Sequence, residues 1–373
     1  MKKLYLLVFV GLASLGSAQS NPEDEIPIFN LDDYFVPPKM TMTVGARALT
    51  GSKVAFGGQG VVTSIQSIYD EFTTGEVRNY HDGTVYRDAR TDNTPDDGKT
   101  NNWTYVDPRQ LIDGDTNVAF HTYSAQVTDA MSRRNDPGLS LGTELVVARD
   151  MGNIGKKIEW KIFAGIGVNG IDSSARGNVA ATITTITDTY GLNGQTLPGT
   201  VPYVAPSSTV DVDGNIVDTT VLLGRAPDSR TTTTASNDTQ VSNYWKLKGT
   251  FLTLRMGPTV IYTISENLKL SISVGPTLVY SGTTYSVQQT LQADTSDPIV
   301  NTVTESEGKN LTGYYVDATL QYFLSESAGL YAGAFYQTSG DYTQTINDKG
   351  SSYTTDIDLS KLQGFRAGLN FKF

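Results

Sequence analysis

The sequence predicts an all-β chain: a closed antiparallel transmembrane β-barrel of eight strands carrying long extracellular loops. Three observations point there: a thirty-residue stretch whose two arms alternate between apolar and mostly small or polar positions, a leader with no later spanning helix, and connections that alternate long and short. The stretch is Phe251 to Tyr280. Its even positions include Leu252, Leu254, Met256, Val260, Tyr262, Leu270, Ile272, Val274, Leu278 and Tyr280. The odd positions between them are mostly small or polar, among them Thr253, Arg255, Gly257, Lys269, Ser271, Ser273 and Gly275. Period-two alternation marks strands with one apolar and one polar face. A turn at Ser265-Glu266-Asn267, with Asn267 in the left-handed conformation, pairs Ile264 with Leu268 and Gly257 with Gly275.

Residues 1–18 read as a secretory signal. Lys2 and Lys3 precede an apolar run to Leu15, and Gly16 and Ala18 set cleavage after Ala18. Residues 19–38 are acidic and proline-punctuated, a periplasmic N-terminal arm. Loss of the leader removes two lysines and no acid, so the formal charge goes from −11 to −13 and nucleic acid is not expected as a partner. The chain has no cysteine, hence no disulfide or thiol chemistry. After the leader there is no run of eighteen apolar residues, so a membrane crossing has to be made by strands.

From residue 39 to 373 the pattern gives a barrel. The strands are Lys39 to Thr50, Gly138 to Arg149, Ile158 to Asn169, the two arms of the opening hairpin, Gly313 to Leu324, Leu330 to Thr338, and Gly364 to Phe373. Strand seven is ambiguous in its faces because Tyr331 and Phe335 oppose Leu330, Ala332 and Tyr336. Long loops are expected at about 51–137, 171–243, 281–311 and 339–362, with short turns between, which places both chain ends on the periplasmic side. Ten strands is the second choice, reached by adding Val118 to Val127 and one more strand between Gly51 and Tyr105.

The inward faces bring Arg47, Glu144, Arg255, Asp317 and Arg366 into the lumen. Side chains fill a barrel of this size, so these residues are expected to form a buried ionic plug. With ten or more strands, Lys161, Arg255 and Lys269 would instead line a diffusion pore. Aromatic belts are expected at Trp160, Tyr262 and Tyr322 near the short turns, and at Tyr280 and Tyr314 near the loops.

Other motifs carry weaker chemistry. Gly165-Ile-Gly167-Val-Asn-Gly170 matches a dinucleotide fingerprint, but no helix pattern follows, and in a barrel Gly165 and Gly167 point inward. Asp211-Val-Asp213-Gly214-Asn215 resembles part of a calcium loop and lacks the acid at position twelve, where Leu222 stands. The histidines are His81 and His121; catalytic pairing with Asp82 or with Ser124 is the minor, hydrolase reading. Asp92, Asp96 and Asp97 read as a solvated acidic loop. No cofactor, metal site or enzymatic activity is expected.

The last strand, GFRAGLNFKF, resembles the closing strand of bacterial outer-membrane β-barrels, an ending read by the barrel assembly machinery. On that resemblance Phe365, Leu369, Phe371 and Phe373 form the assembly signal. The strand count looks like the small barrels of the OmpA transmembrane-domain and OmpX type, although no peptidoglycan-binding domain follows and the first two loops are far longer. The resemblance implies an outer-membrane location, contact with lipid and lipopolysaccharide, and transient contact with the assembly machinery. The function expected is a monomeric anchor displaying acidic surface loops for structure or recognition of an unknown extracellular ligand. A porin-like passive channel is the alternative.

Overall fold

The computed structural model describes residues 39–373 apart from 64–77, 89, 91–96, 130, 198–200 and 295–296. The leader and the acidic arm lie outside the described residues. Eight strands close into a ring in which every neighbour is antiparallel: β1 (Met40–Thr50), β2 (Ser140–Asn153), β3 (Ile158–Asn178), β4 (Val241–Thr263), β5 (Leu268–Leu291), β6 (Ile299–Phe323), β7 (Ala328–Gln337) and β8 (Leu362–Lys372). Closure is made where β1 pairs with β8, Met42 opposite Phe371 and Arg47 opposite Arg366.

The opening hairpin turns about Glu266, with Thr263 opposite Lys269 and Arg255 opposite Thr277. Gly257 and Gly275 face each other so closely that a Cβ on Gly275 would press into the Met256 carbonyl. The turn itself differs from expectation. Asn267 is not among the residues with positive φ, and the reversal is closed by Ser265 N donating to the Leu268 carbonyl at 3.1 Å and by the reciprocal bond at 3.3 Å.

Two connections are shorter than the sequence suggested, because four strands run far past the apolar stretch. β3, β4, β5 and β6 are 21, 23, 24 and 25 residues long. About ten residues cross a bilayer, whereas 25 span about 80 Å. Most of 281–311, expected as a loop, is therefore strand, and its β5–β6 register runs unbroken from Leu268–Tyr322 to Leu291–Ile299. Similarly, 339–362 holds a hairpin, Asp341–Asp348 with Ser351–Asp358, turning at Lys349-Gly350 with φ +44° and +85°.

The faces of these strands exchange character along their length. On β4 the lower odd positions, Thr253, Arg255 and Thr259, point inward, and Leu254, Met256 and Val260 are exposed outward. Above Leu252 the inward positions become Phe251, Leu247, Trp245 and Val241, all at most 2% exposed, while Lys248 and Thr250 face out. β5 behaves alike: Val279, Tyr285, Val287 and Leu291 are buried inward above Leu278, with Thr284 and Gln288 outward. Parity is conserved and polarity inverts. That inversion gives the upper strands an outward polar face, without the outward apolar alternation of the lower ones.

The inverted face is a hydrophobic core. The upper sheet is covered by a four-stranded sheet ordered Arg133–Arg134, Lys53–Gln59, Ser351–Asp358, Asp341–Asp348. Phe56 stacks on Trp245 at 6.5 Å and on Tyr285 at 6.0 Å between centroids. A further sheet runs Ser229–Asn237, Ala181–Gly191, Asn117–Val127, Val61–Thr63, so the Val118 to Val127 strand belongs here and not to the ring. A second core gathers Trp103, Tyr105, Phe120, Tyr190 and Tyr203, with Trp103 Nε1 donating to the Val221 carbonyl at 2.8 Å.

Trp245→Ala should cost about 3–5 kcal/mol of core packing. Limited proteolysis should then cut within 53–59 and 341–358 much faster than in the parent chain, with the ring still folded by its mobility in unheated detergent gels. Thr250→Ala, on the outward face, should leave the cleavage rate unchanged.

Candidate functional site

The lumen of the ring is two-tiered. The upper tier holds the five ionic residues that the inward faces predicted, none more than 9% exposed. Glu144 on β2 is its centre. Its Oε2 accepts from Arg255 Nη2 at 2.7 Å, and its Oε1 accepts from Arg366 Nη1 at 3.2 Å and from the Tyr331 hydroxyl at 3.1 Å. Arg366 Nη2 also donates to Asp317 Oδ1 at 2.7 Å. Arg47 has no carboxylate among its described ion pairs; its Nη2 donates to Gln337 Oε1 at 3.4 Å and its guanidinium lies 4.7 Å from the Phe335 centroid. Arg255 packs 4.5 Å from the Tyr315 centroid. Two of the three guanidiniums thus share the two carboxylates, and the third, Arg47, lies against an aromatic ring.

Glycines make room for these heads. A Cβ on Gly167 would strike the Arg47 guanidinium, and one on Gly165 would come within 3.1 Å of Arg255 Nε. The dinucleotide-like spacing Gly165-x-Gly167 is therefore a strand feature of the lumen wall, where two arginines cross it.

The lower tier, toward the short turns, is cationic. Lys269 pairs with Glu159. Lys161, 6% exposed, donates to Thr41 Oγ1 at 2.7 Å. Lys372 Nζ sits 3.6 Å from the Phe323 centroid. Between the tiers lies a cavity of about 60 Å³ bordered by Lys161, Lys269, Lys372, Arg366 and Phe323. The aromatic members of both tiers were not picked out as lumen residues from sequence. The signal was present in strand seven, whose mixed faces arise because Tyr331 and Phe335 point inward, 4% and 5% exposed.

The remaining expected residues fall elsewhere. Tyr262, Tyr280, Tyr314 and Tyr322 are exposed on the outer wall, and Trp160 is half-buried. Of the terminal strand, Phe365, Leu369 and Phe373 are exposed outward and Phe371 is half-buried. Asp92 and Asp96 lie outside the described residues, and Asp97 is paired with Arg90 at 3.0 Å. The Asp211 carboxylate is taken by its own turn, accepting from Asp213 N and Asn215 N at 2.9 and 2.8 Å.

In the sheets above the ring, His121 Nδ1 donates to the fully buried Asp82 at 2.5 Å, and the same carboxylate accepts from His121 N at 2.7 Å. Strand alternation puts Ser124 on the face opposite His121 and Tyr123, so the His121–Ser124 pairing is not formed. His81 instead donates through Nε2 to the Asp297 carbonyl at 2.7 Å. Nearby, Asp188 accepts from Arg230 at 2.6 and 2.7 Å and from the Tyr80 hydroxyl at 2.7 Å, with Tyr80 and Tyr190 hydroxyls 2.7 Å apart. Burial raises the Tyr80 phenol well above its ordinary range, helped by Tyr190 and Asp188, and burial likewise raises Tyr190.

No protein-family model matches the chain, and no curated protein matches it. Solved structures similar to it include three that it covers over most of their length. The outer membrane protease OmpT from Escherichia coli is 11% identical, covering 91% of this chain and 98% of that one with a TM-score of 0.31. Ail, the attachment invasion locus protein of Yersinia pestis, is 8% identical over 90% and 99% with a TM-score of 0.23. A Pseudomonas aeruginosa FadL homologue is 10% identical over 90% and 91% with a TM-score of 0.18. None of these scores reaches the level at which a shared fold follows.

Glu144→Ala leaves Arg255 without its carboxylate and should cost about 3–5 kcal/mol, read from urea unfolding in detergent. The double substitution Glu144→Leu with Arg255→Met, which removes both buried charges, should cost less than the single one. Phenols raised by burial stabilise the head fully below the unfolded tyrosine range near pH 10, and this contribution is lost as pH climbs beyond it. Phenolate absorbance of Tyr80 and Tyr190 should therefore appear only together with loss of near-ultraviolet circular dichroism, and not as an earlier separate step.

Proposed function

We propose that the chain is an integral outer-membrane protein whose ring of eight strands anchors a large extramembrane β head, and that the head acts in recognition at the cell surface. The observation carrying this is the inversion of polarity on β4 and β5. Below it, apolar side chains face outward around a polar lumen, as lipid requires; above it, they face inward around a core, as water requires. From Leu252, which pairs with Tyr280, to Tyr262 the strand climbs about 33 Å, or about 25 Å once tilted by roughly 40°, the height of a barrel's apolar band. The tyrosines at both ends fit headgroup belts.

The finer reading is a monomer that resembles the small OmpA and OmpX barrels in its anchor, with GFRAGLNFKF serving insertion by the assembly machinery. Because the lumen charges sum to a positive value, the acidity of the chain resides on its outer and head surfaces, where it suits divalent-bridged contact with lipopolysaccharide or a basic extracellular ligand. A conducting pore is disfavoured by the ion-paired tier at mid-height. The His121–Asp82 pair reads as a clamp between the head strands Asn117–Val127 and Arg78–Tyr80 and their turn, so no hydrolytic role is assigned.

Val274→Arg, on the outward face of β5 between the belts, should cost about 2–4 kcal/mol for folding into lipid vesicles, while Thr284→Arg on the same face above the inversion should change it by less than about 0.5 kcal/mol. Equal costs would sink the membrane placement. The purified chain in a planar bilayer should give no stable conductance steps; regular steps would favour the channel instead.

A further inference from the structure

We propose that the lower tier of the lumen binds a small monovalent anion of chloride or formate size, held between Lys161, Lys372 and Arg366. Lys161 and Lys372 have no carboxylate within 4.0 Å among the described residues. Glu159 is taken by Lys269, and Asp317 by Arg366. Asp150, opposite Lys161 on β2, uses its carboxylate to accept from Gly152 N at 3.0 Å. Each ammonium carries three donors and no acceptor, and Lys161 has the single acceptor Thr41 Oγ1. The upper tier adds a further uncompensated cation in Arg47, whose Nε and Nη1 have no hydrogen-bond partner.

A buried, uncompensated cation such as Lys161 is costly, Lys372 beside it is half-buried, and partial enclosure strengthens their attraction for an anion over its value in water. The cavity beside them, about 60 Å³, holds on the order of four or five water-sized probes. It accommodates a monoatomic or three-atom anion and excludes a sugar acid. The chain as a whole is anionic, at −11, so the lumen is a local reversal of its field and the place where an anion is favoured.

The inference depends on the ring and its lumen contents, not on where lipid sits, so the failure of either is seen separately. The full chain, purified in detergent, is heated at equal ionic strength in sodium chloride, sodium formate or sodium gluconate, and its unfolding midpoint followed by circular dichroism. Chloride or formate should raise the midpoint saturably by roughly 2–4 °C relative to gluconate. Lys161→Met with Lys372→Met should abolish that difference while keeping the far-ultraviolet spectrum. Identical midpoints in all three salts, or a full anion effect in the double variant, overturns the site. Independently of whether the variant folds, wild-type crystals soaked in bromide should show an anomalous peak between Lys161 and Lys372; an empty cavity there overturns the proposal as well.

Discussion

A β-strand offers two faces and cannot exchange them without a bulge. That constraint governs everything above. Once Leu254 points out of the ring, every even residue of β4 points out for its full 23 residues, so a strand that passes from one solvent to another can satisfy both only by changing what it carries at each parity. The chain does so between Leu252 and Phe251 on β4, and between Leu278 and Val279 on β5. The two changes lie near one another because Leu254 pairs with Leu278 and Leu252 with Tyr280. The boundary is thus drawn across neighbouring strands by register and not by any one residue.

The same logic explains what could be read from sequence. The eight ring strands, the Glu266-centred hairpin and the inward set of Arg47, Glu144, Arg255, Asp317 and Arg366 all follow from alternation with the apolar side outward. The upper halves of β5 and β6 do not: Thr284, Gln288, Thr302 and Thr304 present the polar look of a loop, and the apolar partners that mark them as strand sit at the positions assigned to the lumen. Apart from Val118 to Val127, most strands of the upper sheets escape the pattern for a different reason. Strands such as Trp103–Tyr105 and Gly83–Val85 are three residues long, too short for a period, and are ordered by the aromatic core they share. Asp82 and His121 are 39 positions apart, and only the sheet brings them together.

The lumen shows how a narrow ring deals with charge. Its mid-height carboxylates each serve an arginine, with glycines on β3 thinned to make room and aromatic rings covering the guanidinium faces. Burial of this kind contributes little net stability, since desolvation offsets most of the Coulomb attraction. Its effect is on geometry: Glu144 ties β2 to β4, β7 and β8 at once, so the ring has one cross-brace through its centre as well as its circumferential ladder.

Because β3 to β6 pass from anchor to head as single uninterrupted ribbons, no hinge separates the two among these strands. Whatever the distal aromatic core presents is held at a set height and azimuth above the ring, as on a mast and not on a tether. A ligand meeting such a head does not have to immobilise it first, and a pull on the head is borne in shear by ladders that run down into the ring.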